Sequence, residues 1–269
     1  MKAQTRSEIS SLLEKYDLLP IHRLGQHFLA DGNITRKIVL AAGIEPGDKV
    51  VEVGAGTGTL TAALVGAGAS VVAYEIDARL GPILEETTGG LDVEIRLEDI
   101  TTVDLGAALV GNGWKMVANL PYNVGTPLVL DSLRHHHHIQ SFVVMVQREV
   151  AERFAAKPGG KDYGLPSVVA QIYSSPVVQF RVPTQVFLPP PRVESAVVTM
   201  PRVAAPEFAE EAIELAGSAF RKRRKMIRGS LADVLDDPEA QLVAAGIDPT
   251  VRAEDLSPQQ YVDLARVIT

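Results

Sequence analysis

At 269 residues and 46% apolar content, the chain can bury a full core and hold one large domain plus a smaller one. The absence of cysteine excludes disulfides, thiolate metal sites and a cysteine nucleophile, and it suits a reducing, cytoplasmic compartment. The net charge of −7 argues against nucleic acid only if it is spread evenly, and it is not.

Residues 1–20 alternate charged and apolar positions without the apolar core of a signal peptide. No apolar stretch approaches the roughly 20 residues of a membrane span, so no membrane partner is expected. The first predicted strand, 50–53, runs into Gly54-Ala55-Gly56-Thr57-Gly58, and a helix is expected over 58–66. Glycines there let the backbone turn sharply and approach a ligand at a helix N-terminus. The next strand, 70–74, ends in Glu75, about 20 residues on, where a carboxylate can accept from ribose hydroxyls. A third strand, 93–97, is followed by Asp99, placed to meet an adenine amino group. The dinucleotide fingerprint wants glycine at position 59, where this chain has Thr59. The loop therefore fits S-adenosylmethionine, which has no pyrophosphate, better than a dinucleotide.

A short buried strand over 116–118 leads into Asn119-Leu120-Pro121-Tyr122. Asn119 supplies a side-chain acceptor, the rigid turn exposes the Leu120 carbonyl, and Tyr122 offers a stacking face. Together they can grip the exocyclic amino group of a planar base, although Asn and Pro also suit an ordinary strand exit. A helix over 126–134 precedes His135, His136, His137 and His138. Adjacent imidazoles cannot all converge on one ion, so this run reads as a polar loop and no metal is expected.

Strands over 142–146, 168–172 and 196–200 follow. The last two have no long helix between them, so the sheet should end in an antiparallel pair. From Pro201 helix formers dominate, with helices over 206–219, 222–234, 239–245 and 257–268. The basic run 221–228, at the start of the second of these, carries Arg221, Lys222, Arg223, Arg224, Lys225 and Arg228 with no acid among them, a candidate phosphate contact on RNA. At helical spacing Met226 and Ile227 would face inward. A solvated helix face is the plainer alternative. Lys157 and Lys161, flanking Pro158-Gly159-Gly160, and Arg192 are further candidate RNA contacts, the two lysines as a rim near the active site. The expected fold is α/β, a Rossmann-like methyltransferase sheet, mostly parallel with an antiparallel end, plus a small all-helical C-terminal domain. The catalytic domain should span 1–200 and the helical RNA-binding domain 201–269.

Six segments together resemble the small-subunit (16S) ribosomal RNA adenine dimethyltransferases, the kasugamycin-sensitivity family, over nearly the whole chain. They are Leu24-Gly25-Gln26-His27-Phe28-Leu29, VEVGAGTGTLT at 51–61, Asn119-Leu120-Pro121-Tyr122-Asn123, VVMVQREVAERF at 143–154, VFLPPPRVESAVV at 186–198 and AFRKRRKMIRGSL at 219–231. The resemblance implies S-adenosylmethionine held at His27, Leu29, Gly54, Glu75, Asp99 and Asn119. It also implies dimethylation of two adjacent adenines in 16S rRNA, within the small subunit or its precursor, by a monomer. Phe187 would be a second aromatic for the target base, with core packing as its alternative role. Related large-subunit (23S) methyltransferases of macrolide-resistance type share the cofactor loop and a similar Asn-x-Pro-Tyr turn. Segments 186–198 and 219–231 favour the small-subunit branch. A non-catalytic ribosome-assembly factor is the reading from another class, and the intact Gly54 loop, Glu75, Asp99 and Asn119 argue against it.

Overall fold

A computed structural model describes residues 3–122 and 124–269 as two compact units. The first unit runs to Ala151 and resumes over Val177–Pro201; the second comprises Glu152–Pro176 and Arg202–Thr269. Residues 152–176 thus belong with the helical unit, not with the sheet as the expected boundary at 200 had it.

In the first unit β1 (Phe28–Leu29) is followed by β2 (Lys49–Val53), β3 (Ser70–Tyr74), β4 (Val93–Arg96), β5 (Trp114–Asn119) and β6 (Ile139–Gln147). β7 (Val177–Val182), β8 (Phe187–Leu188) and β9 (Ser195–Pro201) complete the strands. Seven of them form one sheet in the order β4-β3-β2-β5-β6-β9-β7. The β4-to-β6 portion is parallel, and β9 runs antiparallel to both β6 and β7. The antiparallel end is as expected, but its edge strand is β7; residues 168–172 are helical. Helices α1 (Arg6–Lys15), α2 (Gly32–Ala42), α3 (Thr59–Gly66), α4 (Gly81–Thr88), α5 (Leu105–Ala108) and α6 (Gly125–His135) belong to the same unit, and α7 (Arg148–Phe154) follows β6.

The central strands are apolar because both of their faces are covered. Val50, Val51, Met116, Val117, Ala118, Phe142, Val144 and Met145 are all fully buried. Each such side chain contributes about 1.5–3 kcal/mol relative to exposure. The winding runs from β2 outward through β3 to β4, then returns to the other side of β2 at β5. That reversal makes a crevice at the carboxyl ends of β2 and β5, the place where open α/β sheets bind ligands. Apart from the main sheet, β1 and β8 form an antiparallel pair, Phe28 opposite Leu188 and Leu29 opposite Phe187.

The second unit contains α8 (Leu165–Tyr173), α9 (Ala209–Arg221), α10 (Ile227–Ser230), α11 (Pro238–Ala244) and α12 (Pro258–Ile268). Pro166 occupies the first turn of α8, where its missing N–H costs nothing, and Ser167 Oγ accepts from the Gly164 N–H at 3.1 Å. Those caps, with packing on α9 and α12, make a helix of an apolar run that is ambiguous by periodicity. The Tyr163 hydroxyl donates to Leu256 O at 2.9 Å, and Phe220 lies between the Tyr163 and Tyr261 rings at 6.2 and 6.5 Å. The expected helix over 222–234 is likewise replaced by a turn and the single helical turn α10. Met226 instead bridges Arg252, and the Ile227 N–H donates to Val251 O at 2.6 Å. Ile227 is buried as expected, but Met226 is exposed.

Candidate functional site

A cleft of about 250 Å³ opens at the β2–β5 reversal. After β2 the chain takes three left-handed residues, Gly54 (φ 78°), Gly56 (φ 58°) and Gly58 (φ 80°), before entering α3. Only glycine adopts this freely. At Gly54 a Cβ would only make ordinary contact, 3.5 Å from Asn119 O and 3.6 Å from Pro121 Cδ, so the left-handed backbone is what requires glycine there, and the position faces the end of β5. Tyr74 O accepts from the Gly54 and Ala55 N–H groups at 2.8 and 3.1 Å, pinning the loop to the end of β3.

Glu75 follows β3 and is only 5% exposed. Its Oε2 accepts from Gly56 N at 2.9 Å and its Oε1 from Asp77 N at 2.9 Å. Burial raises its carboxyl pKa, opposed by those two N–H groups. Asp99 Oδ1 accepts from the Thr101 N–H at 2.9 Å and the Thr101 hydroxyl at 2.7 Å, which leaves Oδ2 for a ligand. Gln26 donates to Asp77 Oδ2 at 2.8 Å while its Oε1 accepts from Ile21 N at 2.6 Å. That clip brings the 21–29 segment alongside the cleft, where His27, Phe28 and Leu29 line it. Glu52, in the wall of the same cleft, is 1% exposed, and its Oε2 has no hydrogen-bond partner among the described residues. Burial pushes its carboxyl up to about 8, with the Glu75 charge adding to the rise.

At the end of β5, Asn119 Nδ2 donates to His27 O at 3.1 Å. The amide is thereby oriented, with Oδ1 left as its acceptor at the cleft. Leu120 N donates to Met145 O at 3.0 Å, and Pro121 O accepts from Val124 and Gly125 to start α6. The Leu120 carbonyl takes part in neither set of bonds. The Tyr122 hydroxyl is shared with Ser195 Oγ at 2.6 Å, its ring stands 5.6 Å from the His27 ring, and burial raises its pKa. The His27 Nδ1–H donates to Pro189 O at 2.8 Å. Asn123 lies outside the described residues.

The structure thus brings Leu29, Gly54, Glu75, Asp99, Asn119, Leu120, Pro121, Tyr122 and His27 into one cleft. Phe187 is the exception. It is fully buried in the core and does not line the cleft, so its ring offers no face to a base in this geometry. Its backbone holds Leu29 instead. Ser195, Gln26 and Glu52 were not singled out from the sequence. All three sit within quoted segments, but no local pattern marks Ser195 as the partner of Tyr122.

In the second unit the basic run is a turn whose charges are partly neutralised by acids distant in sequence. Lys222 pairs with Asp233, Arg223 with Glu254, and Arg228 with Glu239 at 3.5 Å. Among the described residues no acid pairs with Arg221, Arg224 or Lys225. Arg223 Nη2 also donates to Lys161 O at 3.1 Å, and Glu254 O accepts from Gly159 N at 2.7 Å. The 157–161 loop, with Lys157 and Lys161, is therefore tied to the basic turn. Arg192, in the first unit, is exposed.

Residues 21–269 match the family described as ribosomal RNA adenine dimethylase. The chain belongs to this family. A "Ribosomal RNA small subunit methyltransferase A" of Leifsonia xyli is 43% identical, covering 96% of each chain. The protein so named in Magnetococcus marinus is 39% identical over 96% of this chain and 95% of its own. Among solved structures, the 23S rRNA methyltransferase ErmE superposes with a TM-score of 0.72 at 25% identity, over 90% of this chain and 99% of that one. A dimethyladenosine transferase from Plasmodium falciparum, at 22% identity, shares the fold with a TM-score of 0.77 over 88% of this chain and 96% of that one.

The residues present fit the nucleoside-bearing, cationic methyl donor that this family's fold implies. A left-handed glycine loop leaves room against the Asn119 backbone, Glu75 and Asp99 keep acceptor capacity, and a buried Glu52 oxygen is orphaned in the cleft wall. Among the described residues no group of three or more His, Asp or Glu is placed to hold a metal, and no helix is long and apolar enough to cross a membrane.

Proposed function

We infer that this chain transfers methyl groups from S-adenosylmethionine to the N6 amino groups of two adjacent adenines in a hairpin loop of small-subunit (16S) rRNA. The observation that carries the reading is the Asn119 side chain, whose Nδ2 is spent on His27 O, leaving Oδ1 as its acceptor in the cleft that Asn119 lines together with the glycine loop. The adenine N6 lone pair is delocalised into the ring, so the amine is a poor nucleophile. The Asn119 oxygen and the Leu120 carbonyl accept its two hydrogens and favour a pyramidal nitrogen. Tyr122 stacks on a base swung out of the RNA. Bound S-adenosylmethionine supplies a sulfonium methyl that is already activated, so positioning and electrostatics provide most of the acceleration. Glu75 accepts from the donor's ribose hydroxyls and Asp99 Oδ2 from its adenine amino group, with Gly54, His27 and Leu29 completing that side.

N6 gives up one proton per transfer, and after the first methyl it keeps one hydrogen and its lone pair, so the same clasp serves twice. The basic turn and the loop tied to it supply phosphate contacts for RNA of the small subunit or its precursor, in the cytoplasm, with the chain acting as a monomer. The small-subunit target is favoured because the relatives at 39–43% identity are small-subunit methyltransferases, whereas the 23S rRNA methyltransferase ErmE is only 25% identical.

Replacing Asn119 by Ala tests the reading. Methyl transfer to isolated small subunits should vanish while binding of S-adenosylhomocysteine persists at least in part. Equal turnover by variant and parent removes Asn119 from the chemistry.

A further inference from the structure

The N-terminal segment precedes residue 21, where the family match begins, and the mechanism above makes no use of it. It nevertheless touches both sides of the cleft. Thr5 caps α1 in a capping box with Glu8, which fixes the direction in which the chain enters the helix. Gln4, just before that cap, donates from Nε2 to Thr57 O at 2.7 Å, and its Oε1 accepts from the Thr59 hydroxyl at 3.0 Å. Thr57 and Thr59 flank Gly58, the last left-handed residue of the glycine loop. Arg6, just after the cap, donates from Nη2 to Gln185 O at 2.6 Å and to Phe187 O at 2.7 Å.

The 185–189 stretch is what holds the target side. Phe187 and Leu188 pair with Leu29 and Phe28, and Pro189 O accepts from the His27 ring. His27 in turn receives the Asn119 amide and lies against Tyr122. One capped turn thus grips the donor loop with one side chain and the loop behind the Asn119 clasp with another.

We propose that Gln4 and Arg6 are positioning residues for methyl transfer, Gln4 for the donor and Arg6 for the target adenine. The proposal rests on the methyl-transfer reading, and the two are separable. Gln4 acts through the 57–59 backbone, so its loss loosens the donor site without altering the acceptors around N6. Arg6 acts through Phe187, Pro189 and His27, so its loss lets the Asn119 amide turn, while the glycine loop, Glu75 and Asp99, which form most of the donor side, keep their own bonds. A charged group bonding two carbonyls contributes more than a neutral amide does.

The test uses the full chain, S-adenosylmethionine and isolated small subunits that lack the modification. Absence of turnover by the parent protein would overturn the functional reading itself. With an active parent, Gln4→Ala should raise the donor KM about five-fold, the loss of about one neutral hydrogen bond, with kcat within about two-fold. Arg6→Ala should lower kcat about ten-fold or more, with the donor KM within about two-fold, and Arg6→Lys should recover part of the loss. Calorimetry with S-adenosylhomocysteine should weaken for Gln4→Ala and hold for Arg6→Ala. The proposal is overturned if both variants match the parent in both constants. It is equally overturned if both lose kcat and donor affinity together in proportion to a lowered melting temperature, the signature of a merely structural strap.

Discussion

A single hydrogen bond decides what Asn119 can do. A free amide can present either its oxygen or its nitrogen, and only the oxygen attracts an amino group's hydrogens. Donation from Nδ2 to His27 O at 3.1 Å makes that choice before substrate arrives. The same economy of partners explains Glu52, which is buried with one oxygen unbonded and therefore stays protonated to about pH 8. In the unfolded chain its carboxyl ionises near its ordinary 4.5, so between there and about 8 the native state binds the extra proton. Stability from this group is fully present below the lower value and is lost as pH rises to the upper one. A Glu52→Gln variant should flatten that decline, gaining on the order of a few kcal/mol at pH 8 relative to pH 5. Denaturant midpoints at the two pH values check it; parallel pH profiles for variant and parent would refute it. The shared cleft of Glu75, Asp99 and Asn119 was legible in the sequence because each stands at, or within three residues of, the carboxyl end of a strand, where parallel sheets place ligand contacts. Ser195 and Arg6 were not, because their partners lie 73 and 181 positions away and nothing local announces them.

Within an element, several residues act as one. The glycine loop is left-handed at positions 54, 56 and 58, and at Gly58 a Cβ would come within 2.6 Å of Thr87 Oγ1 and 2.9 Å of Thr88 Cγ2. Thr87 also bonds Thr57 O at 3.1 Å, so it cannot retreat without loosening the loop. Gly58→Ala should therefore cost at least about 1–2 kcal/mol of stability from the backbone conformation alone and weaken donor binding. Thermal melts with and without S-adenosylhomocysteine read both effects, and a variant as stable as the parent would contradict the account. The strands at β2, β3, β5 and β6 could be read from their apolar runs, since both faces of a parallel sheet are covered. Residues 168–172 carry the same signature for a different reason, being the buried helix α8 whose sides are covered by its neighbours in the second unit. Length alone does not separate the two cases. The stretch at 222–234 failed as a helix because pairing of Met226 and Ile227 with residues 251–252 outweighed its helical propensity.

For the whole molecule the net charge of −7 is a poor guide to its partners, because the charge is organised. The run at 221–228 was visible in the sequence, but the acids that neutralise Lys222, Arg223 and Arg228 come from elsewhere in the helical unit and were not. Arg221, Arg224 and Lys225 have no acid within ion-pair distance among the described residues, although the Lys225 charge reaches Asp233, and they are the proposed phosphate contacts. Neutralising these three together should weaken RNA binding and reduce the slope of log affinity against log salt by about two to three. Titration of the small-subunit RNA at several salt concentrations measures it, and an unchanged slope would exclude this turn from the RNA interface. The expected boundary at 200 missed that 152–176 joins the helical unit, since that join depends on tertiary bonds such as Tyr163 to Leu256.

The central claim, that the Asn119 turn clasps an adenine amino group of small-subunit RNA beside a sulfonium donor, is tested most directly by mapping modified nucleosides. Ribosomal subunits from cells lacking adenine dimethylation would be incubated with S-adenosylmethionine and the chain, and their RNA digested for mass spectrometry. N6,N6-dimethyladenosine is expected at two neighbouring positions of one small-subunit hairpin loop, and none with the Asn119→Ala variant. Dimethyladenosine confined to large-subunit RNA, or equal product from the variant, would contradict it.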